Sequence, residues 1–168
     1  MRRLRELVVR IAVAIVTCYG SWLGMLAVHE LGHAAAAWIT GGRVVSVSIP
    51  LLGFSQTVVH PNPRELFVVW CGPTIGTVLP LVALLVWRAF RRPLPGVAKF
   101  FGGFCAIANG AYIGAGPFIR AGDARDMLRL GTPTWILLAF GALCLLTGIV
   151  CWNGVAALSS KYWWSTPT

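Results

Sequence analysis

The chain has 168 residues, of which 57% are hydrophobic and only 11% are charged, and its formal net charge is +9. Ordinary soluble domains carry roughly 25% charged residues, so this composition excludes a soluble globular domain and predicts one integral membrane domain over residues 1–168. The basic residues lie in short clusters between apolar runs, which is typical of segments at membrane surfaces, and we therefore expect no nucleic-acid partner.

The first predicted element is a long helix over residues 7–40, which contains the motif His-Glu-Leu-Gly-His at residues 29–33. Residues four apart share one face of a helix, so His29 and His33 can bind the same metal ion. Glu30 lies between them, in the position of a general base. Ionisable side chains inside a membrane span are costly, and three of them within five residues require a partner. A divalent cation is the obvious partner.

A short membrane-associated β-hairpin is predicted after this helix, over residues 43–59. Two β-branched stretches, residues 43–49 and 55–59, flank a turn-like Pro-Leu-Leu-Gly sequence at residues 50–53. An exposed hairpin edge beside an active-site helix could pair with an extended peptide. The alternative is a plain connecting loop.

Three further apolar helices are predicted, over residues 65–90, 100–118 and 135–155. With the first helix they give the expected fold class: a mainly α, polytopic membrane protein with about four transmembrane helices. Glycines spaced four apart, such as Gly72 with Gly76 and Gly110 with Gly114, predict close helix packing. The third helix carries one polar residue, Asn109, which we expect to bond to a neighbouring helix.

A catalytic zinc site needs a third protein ligand, and the chain has only five acidic residues. Glu6 and Glu65 begin apolar helices, where a helix N-terminus explains them. Asp123 and Asp126 remain, and their spacing allows both to lie on one helical face. The alternative for both aspartates is ion pairing with nearby arginines. The residues alone leave the choice between Asp123 and Asp126 open.

The chain resembles the site-2 proteases, a family of intramembrane zinc metalloproteases. The resemblance rests on the motif at residues 29–33, the predicted hairpin, the Gly72-Pro73 pair and the segment Gly122-Asp123-Ala124. It implies that His29, His33 and Asp123 bind zinc and that Glu30 activates water, with Asp126 as the alternative third ligand.

The chain departs from the pattern of this family at three positions. Gly76 stands where the family usually has Asn, Gly122 where it has Leu, and Ala124 where it has Gly. These departures concern the third ligand and the groups that hold a substrate strand.

The expected function is zinc-dependent intramembrane hydrolysis of peptide bonds, with Glu30 as the catalytic residue. The expected partners are a membrane protein or peptide substrate and the lipid bilayer. We expect a multi-pass protein of the bacterial cytoplasmic membrane. The alternative is a non-catalytic membrane protein, a pseudoprotease that binds zinc or substrate without cleaving it.

Overall fold

The computed structural model describes the backbone of residues 1–90 and 96–163, and the side chains of residues 1–90 and 96–153. The fold is mainly helical, with one small antiparallel sheet, as predicted. The elements in chain order are α1 (Arg2–Ile39), β1 (Val44–Ser48), β2 (Gln56–Val59), α2 (Glu65–Ala89), α3 (Gly96–Ile119), α4 (Gly122–Arg129) and α5 (Thr134–Trp163).

The helix bounds differ from the predicted ones at several ends. Helix α1 begins at Arg2 rather than at residue 7, because its first turns carry good helix formers despite their charge. Helix α3 begins at Gly96 rather than at residue 100, and α5 continues to Trp163 rather than ending at residue 155. The short helix α4 was not predicted, because eight residues with a strongly charged face give no apolar run.

Three helices within the described residues are long and apolar enough to cross a membrane, one fewer than the four predicted: Arg2–Ile39, Glu65–Ala89 and Thr134–Asn153. Helix α3, the remaining one of the four predicted spans, is also long but is not among these three helices. It contacts each of the other four helices, α1, α2, α4 and α5. A central helix faces other helices rather than solvent or lipid, so it needs less apolar surface.

The predicted β-hairpin is present and pairs Val44 with Val59 and Ser48 with Gln56. The register is irregular between Val44 and Ser46. Val44 and Val59 pack against a small core formed by Ala36 and Ala37 of α1 and Val68 of α2. The hairpin is therefore seated on the α1–α2 interface, next to the end of α1 that carries the motif.

Small residues set the distance between the central helix and α5. A Cβ atom placed on Gly110 would lie 2.6 Å from the Cβ atom of Cys144, and one on Gly141 would lie 2.7 Å from the Cα atom of Gly114. Real Cβ atoms do not approach so closely. The glycine spacing predicted for close packing is thus used where α3 meets α5.

Helix α4 packs into the largest apolar core found among the described side chains. Ala124 and Met127 of α4 are fully buried there, among residues from three other helices: Val69, Ile113 and Leu137. Because of this packing, α4 lies against α2, α3 and α5, close to the motif of α1.

Candidate metal centre

The two histidines of the motif point at the same spot. The Nε2 atoms of His29 and His33 are 3.1 Å apart, and both side chains are buried. One turn of helix α1 produces this arrangement, because side chains four residues apart stack on one face.

The other ring nitrogen of each histidine is held by a hydrogen bond to a neighbouring helix. His29 Nδ1 is 2.7 Å from Asn109 Oδ1, and His33 Nδ1 is 2.8 Å from the carbonyl oxygen of Val68. Asn109 Nδ2 donates to the carbonyl of Cys105, so its Oδ1 faces the ring as an acceptor. Both Nδ1 atoms therefore donate, and in the neutral rings both Nε2 atoms keep a lone pair for a metal ion.

Asp123 supplies a third ligand atom at this spot. Its Oδ2 atom lies 2.9 Å from His29 Nε2 and 3.3 Å from His33 Nε2. Burial raises the pKa of the Asp123 carboxyl, but when no cation is bound and the Nε2 atoms carry protons, hydrogen bonds donated by His29 and His33 outweigh this effect and hold that pKa below its ordinary value. The carboxylate is therefore ionised at neutral pH.

Asp126, the alternative ligand, does not join this group. Its Oδ1 atom lies 3.5 Å from Arg129 Nε and 3.6 Å from Arg125 Nε. Arg129 also donates a hydrogen bond to Glu65 at the start of α2. Asp126 thus belongs to an ion-pair network that ties α4 to α2, while Asp123 faces the histidines.

The turn before α4 aims Asp123 at the histidines. Gly122 has a φ of +55°, a value that side chains rarely allow, and a Cβ atom there would collide with the hydroxyl of Tyr112. That hydroxyl accepts a 2.9 Å hydrogen bond from the backbone N–H of Asp123. Gly116 leaves the space that the methyl group of Ala124 occupies. These contacts explain why this chain has Gly at residue 122 and Ala at residue 124.

The three candidate ligand atoms lie at separations close to those of a tetrahedral metal site. With zinc–nitrogen and zinc–oxygen bonds of about 2.0–2.2 Å, neighbouring ligand atoms of a tetrahedral site lie about 3.3–3.6 Å apart. The observed separations of 2.9, 3.1 and 3.3 Å are at or slightly below the lower end of this range. Within the described residues, His29, His33 and Asp123 form the group that could hold a metal ion. Two lone pairs and a carboxylate at such short separations repel one another without a cation or protons between them.

Glu30 is almost fully buried, with 2% of its surface exposed, and the hydrogen bonds described for its carboxylate go to the hairpin and not to the candidate ligand atoms. Its carboxylate accepts hydrogen bonds from the hydroxyl groups of Ser55 and Thr57, each 2.5 Å long. The base predicted within the motif is therefore held by the hairpin rather than by the metal ligands.

Glycines bring the second helix close to the motif. A Cβ atom on Gly72 would lie 2.2 Å from His33 Nε2, and one on Gly32 would lie 2.4 Å from the carbonyl oxygen of Cys71. A Cβ atom on Gly76 would meet the amide of Asn109 at 2.9 Å. Gly76 thus leaves the space from which Asn109 reaches His29.

The sequence assigned no role to three supporting side chains, Ser55, Thr57 and Tyr112, and for Asn109 it predicted only a bond to a neighbouring helix. Two spacings could have grouped them. Ser55 and Thr57 are two apart in an extended segment and so share a face, and Asn109 and Tyr112 are three apart on one helix face. Asn109 was expected to bond to a neighbouring helix, and its contact with His29 confirms that prediction.

Comparison with protein-family models, curated proteins and solved structures finds no match to this chain.

Proposed function

We propose that this protein is a zinc-dependent endopeptidase that hydrolyses peptide bonds of membrane-embedded substrates. The observation that supports the proposal most strongly is the convergence of His29 Nε2, His33 Nε2 and Asp123 Oδ2, with the buried Glu30 beside them in the same motif. The resemblance to the site-2 proteases points to the same chemistry. We further propose that the chain crosses the bacterial cytoplasmic membrane several times.

Zinc is the metal that this donor set suits best. Two imidazole nitrogens and one carboxylate oxygen are typical of catalytic zinc sites, which keep a fourth position for water or substrate. When bound, the ion would act as a Lewis acid toward water and toward the carbonyl of the scissile bond. Asn109 and the Val68 carbonyl orient the two imidazoles for this role.

Glu30 is the proposed general base. It would accept a proton from the attacking water as the water oxygen bonds to the carbonyl carbon, and it would pass that proton to the leaving amine as the carbon–nitrogen bond breaks. Its burial excludes bulk water and so strengthens electrostatic interactions at the site.

The substrate class follows from the surroundings of the site. The motif lies in α1, one of the helices apolar enough to cross a membrane, so a substrate at this site would come from the bilayer. A helical peptide bond is shielded, and the substrate would therefore be extended locally. Within the described residues, β1 and β2 pair with each other alone, so each strand keeps an outer edge with which an extended peptide could pair.

The proposal is tested with Glu30→Gln, which should keep the metal and abolish peptide cleavage. The protein is purified in detergent, its zinc content is measured by atomic emission, and cleavage is followed with a library of quenched fluorescent apolar peptides. Cleavage retained by Glu30→Gln would remove the general-base assignment. Stoichiometric zinc in a wild-type protein that cleaves no peptide would favour the pseudoprotease.

Two aspartate variants serve as matched controls for the metal site in the same experiment. Asp123→Ala should lose zinc, whereas Asp126→Ala should keep it, because Asp126 contacts arginines and not the histidines. Equal zinc content in both variants would contradict the assigned third ligand.

A further inference from the structure

The hairpin contributes two hydroxyl groups to the carboxylate of Glu30. Ser55 Oγ donates to Oε1 and Thr57 Oγ1 donates to Oε2, each across 2.5 Å. Ser55 precedes β2 and Thr57 lies within it, so both side chains project from the same face of one extended segment. A single placement of this strand therefore fixes both oxygens of the carboxylate. We call Ser55 and Thr57 the hydroxyl pair.

The hydroxyl pair donates hydrogen bonds to Glu30, which the two histidines of the motif do not. His29 and His33 direct their ring nitrogens to Asp123, Asn109 and the Val68 carbonyl, so neither ring bonds to Glu30. Among the side chains that the structure describes, Ser55 and Thr57 are the ones that donate hydrogen bonds to this buried carboxylate. A buried carboxylate without such donors is strongly unfavourable.

These two hydrogen bonds orient the Glu30 carboxylate and still leave some of its acceptor positions unused. An ionised carboxylate has about four lone-pair positions, and one bond to each oxygen leaves further positions for a water molecule. Two donors from one strand also fix the plane of the group, which a single donor would leave free to rotate. The arrangement is that of a base held in one orientation and still able to accept a proton.

The hairpin is itself anchored to the elements that carry the metal ligands. The ring of Phe54, next to Ser55, stacks on Tyr112, whose hydroxyl accepts the backbone N–H of Asp123. At the other side of the turn, the hydroxyl of Tyr19 donates to the Leu51 carbonyl across 3.0 Å. The distance between base and ligands is therefore set through one connected set of contacts.

We propose that Ser55 and Thr57 are positioning residues that fix the orientation of Glu30 for proton transfer. The inference rests on the proposed function and adds a role for the hairpin that does not involve pairing with a substrate strand. Misplacing a reacting group by about 1 Å can cost on the order of 100-fold in rate. Loss of both hydroxyls should therefore lower kcat by about 10–100-fold, with KM and zinc content little changed.

The test compares variants that remove a hydroxyl with variants that move or keep it. Ser55→Ala, Thr57→Val and the double variant should lower kcat, whereas Ser55→Thr and Thr57→Ser should restore much of it, because each still carries a hydroxyl. Ser48→Ala is the matched control, since Ser48 is an exposed hydroxyl residue on β1 of the same hairpin. Kinetics are measured with the peptide that the wild type cleaves best, alongside zinc content.

A double-mutant cycle tests the contact without relying on activity. Thermal unfolding in detergent is compared for Glu30→Ala, the double variant Ser55→Ala/Thr57→Val, and the triple combination. Residues in contact are not additive, so the combined loss in Tm should be smaller than the sum of the separate losses. An additive loss would overturn the inference.

The outcomes separate the two proposals. A wild type that binds zinc but cleaves nothing would overturn the proposed function and with it the positioning role. An active wild type whose hydroxyl variants keep or raise kcat would overturn the inference alone. A drop in kcat that Thr57→Ser does not restore would indicate a packing role for Thr57 and would equally contradict the inference.

Discussion

The two halves of α1 have similar hydrophobicity but very different surroundings. All buried residues of this helix lie from Ser21 onward, whereas the preceding turns are almost entirely exposed. The first half is rich in branched residues, with Val13 and Ile15 more than half exposed. The second half contains glycine and alanine, with Ala36 and Ala37 essentially buried. Apolar character is common to both halves, and small size distinguishes the packed one.

This difference shows what places the site along the helix. In a membrane, lipid is as apolar as a leucine side chain, so helices associate where small residues let their backbones approach. The motif lies in the half that approaches α2 and α3 most closely. Each of its ionisable groups then has a partner on another element: Asp123 and Asn109 for His29, the Val68 carbonyl for His33, and the hairpin hydroxyls for Glu30.

Gly32→Ala, in the packed half of α1, is expected to have the largest effect on stability. The added Cβ atom would lie 2.4 Å from the Cys71 carbonyl oxygen, and a backbone atom cannot yield as a flexible side chain can. We expect α1 and α2 to separate, with a loss of about 2–3 kcal/mol in the free energy of unfolding, the upper part of the range for overpacked cores. For a chain of this size that corresponds to about 5–10 °C in Tm.

Thermal unfolding of purified protein measures this effect, and folded yield is a second readout. An unchanged Tm for Gly32→Ala would mean that the close approach of α1 and α2 is not needed for stability. Small residues would then not be what holds the packed half of α1 against its neighbours.

The parts of the site that depend on one segment could be predicted from the sequence. The spacing of His29 and His33 is a property of a single helix, and the β-branched alternation after it indicated the hairpin. The glycine spacings of α2 and α3 likewise indicated close packing. Each of these signals is local, so it does not depend on how the helices are arranged.

The parts that depend on several segments could not be predicted in the same way. Spacing alone allows Asp123 and Asp126 to share a helix face, and only the packing of Met127 and Ala124 decides which of them turns toward α1. Helix α4 is too short and charged to give a periodic apolar signal. The donors to Glu30 come from an element 25 and 27 residues further along the chain.

A more local change on the facing helix is Gly72→Ala. Its Cβ atom would lie 2.2 Å from His33 Nε2, so the imidazole would have to leave its position while the rest of the fold can adjust. We expect zinc affinity to fall by about 10–100-fold, as is typical when the orientation of a ligand is lost. The fall in Tm should be smaller than that of Gly32→Ala.

Competition with a zinc-binding dye measures the affinity, and His33→Ala sets the value expected when this ligand is lost altogether. Zinc affinity equal to that of the wild type would show that His33 reaches the metal from another rotamer. The close packing of the His33 ring against α2 would then not be needed for zinc binding.

The smallest expected effect is that of Gly20→Ala in the exposed half of the same helix. No atom lies within 4 Å of the added Cβ, so the only consequence is the higher helix propensity of alanine, worth at most about 1 kcal/mol. Tm should therefore stay the same or rise slightly, and zinc affinity and kcat should not change. A clear fall in Tm would mean that this half of α1 packs against another helix, from a second copy or another protein. The contrast between a packed and an unpacked half would then describe the isolated chain alone.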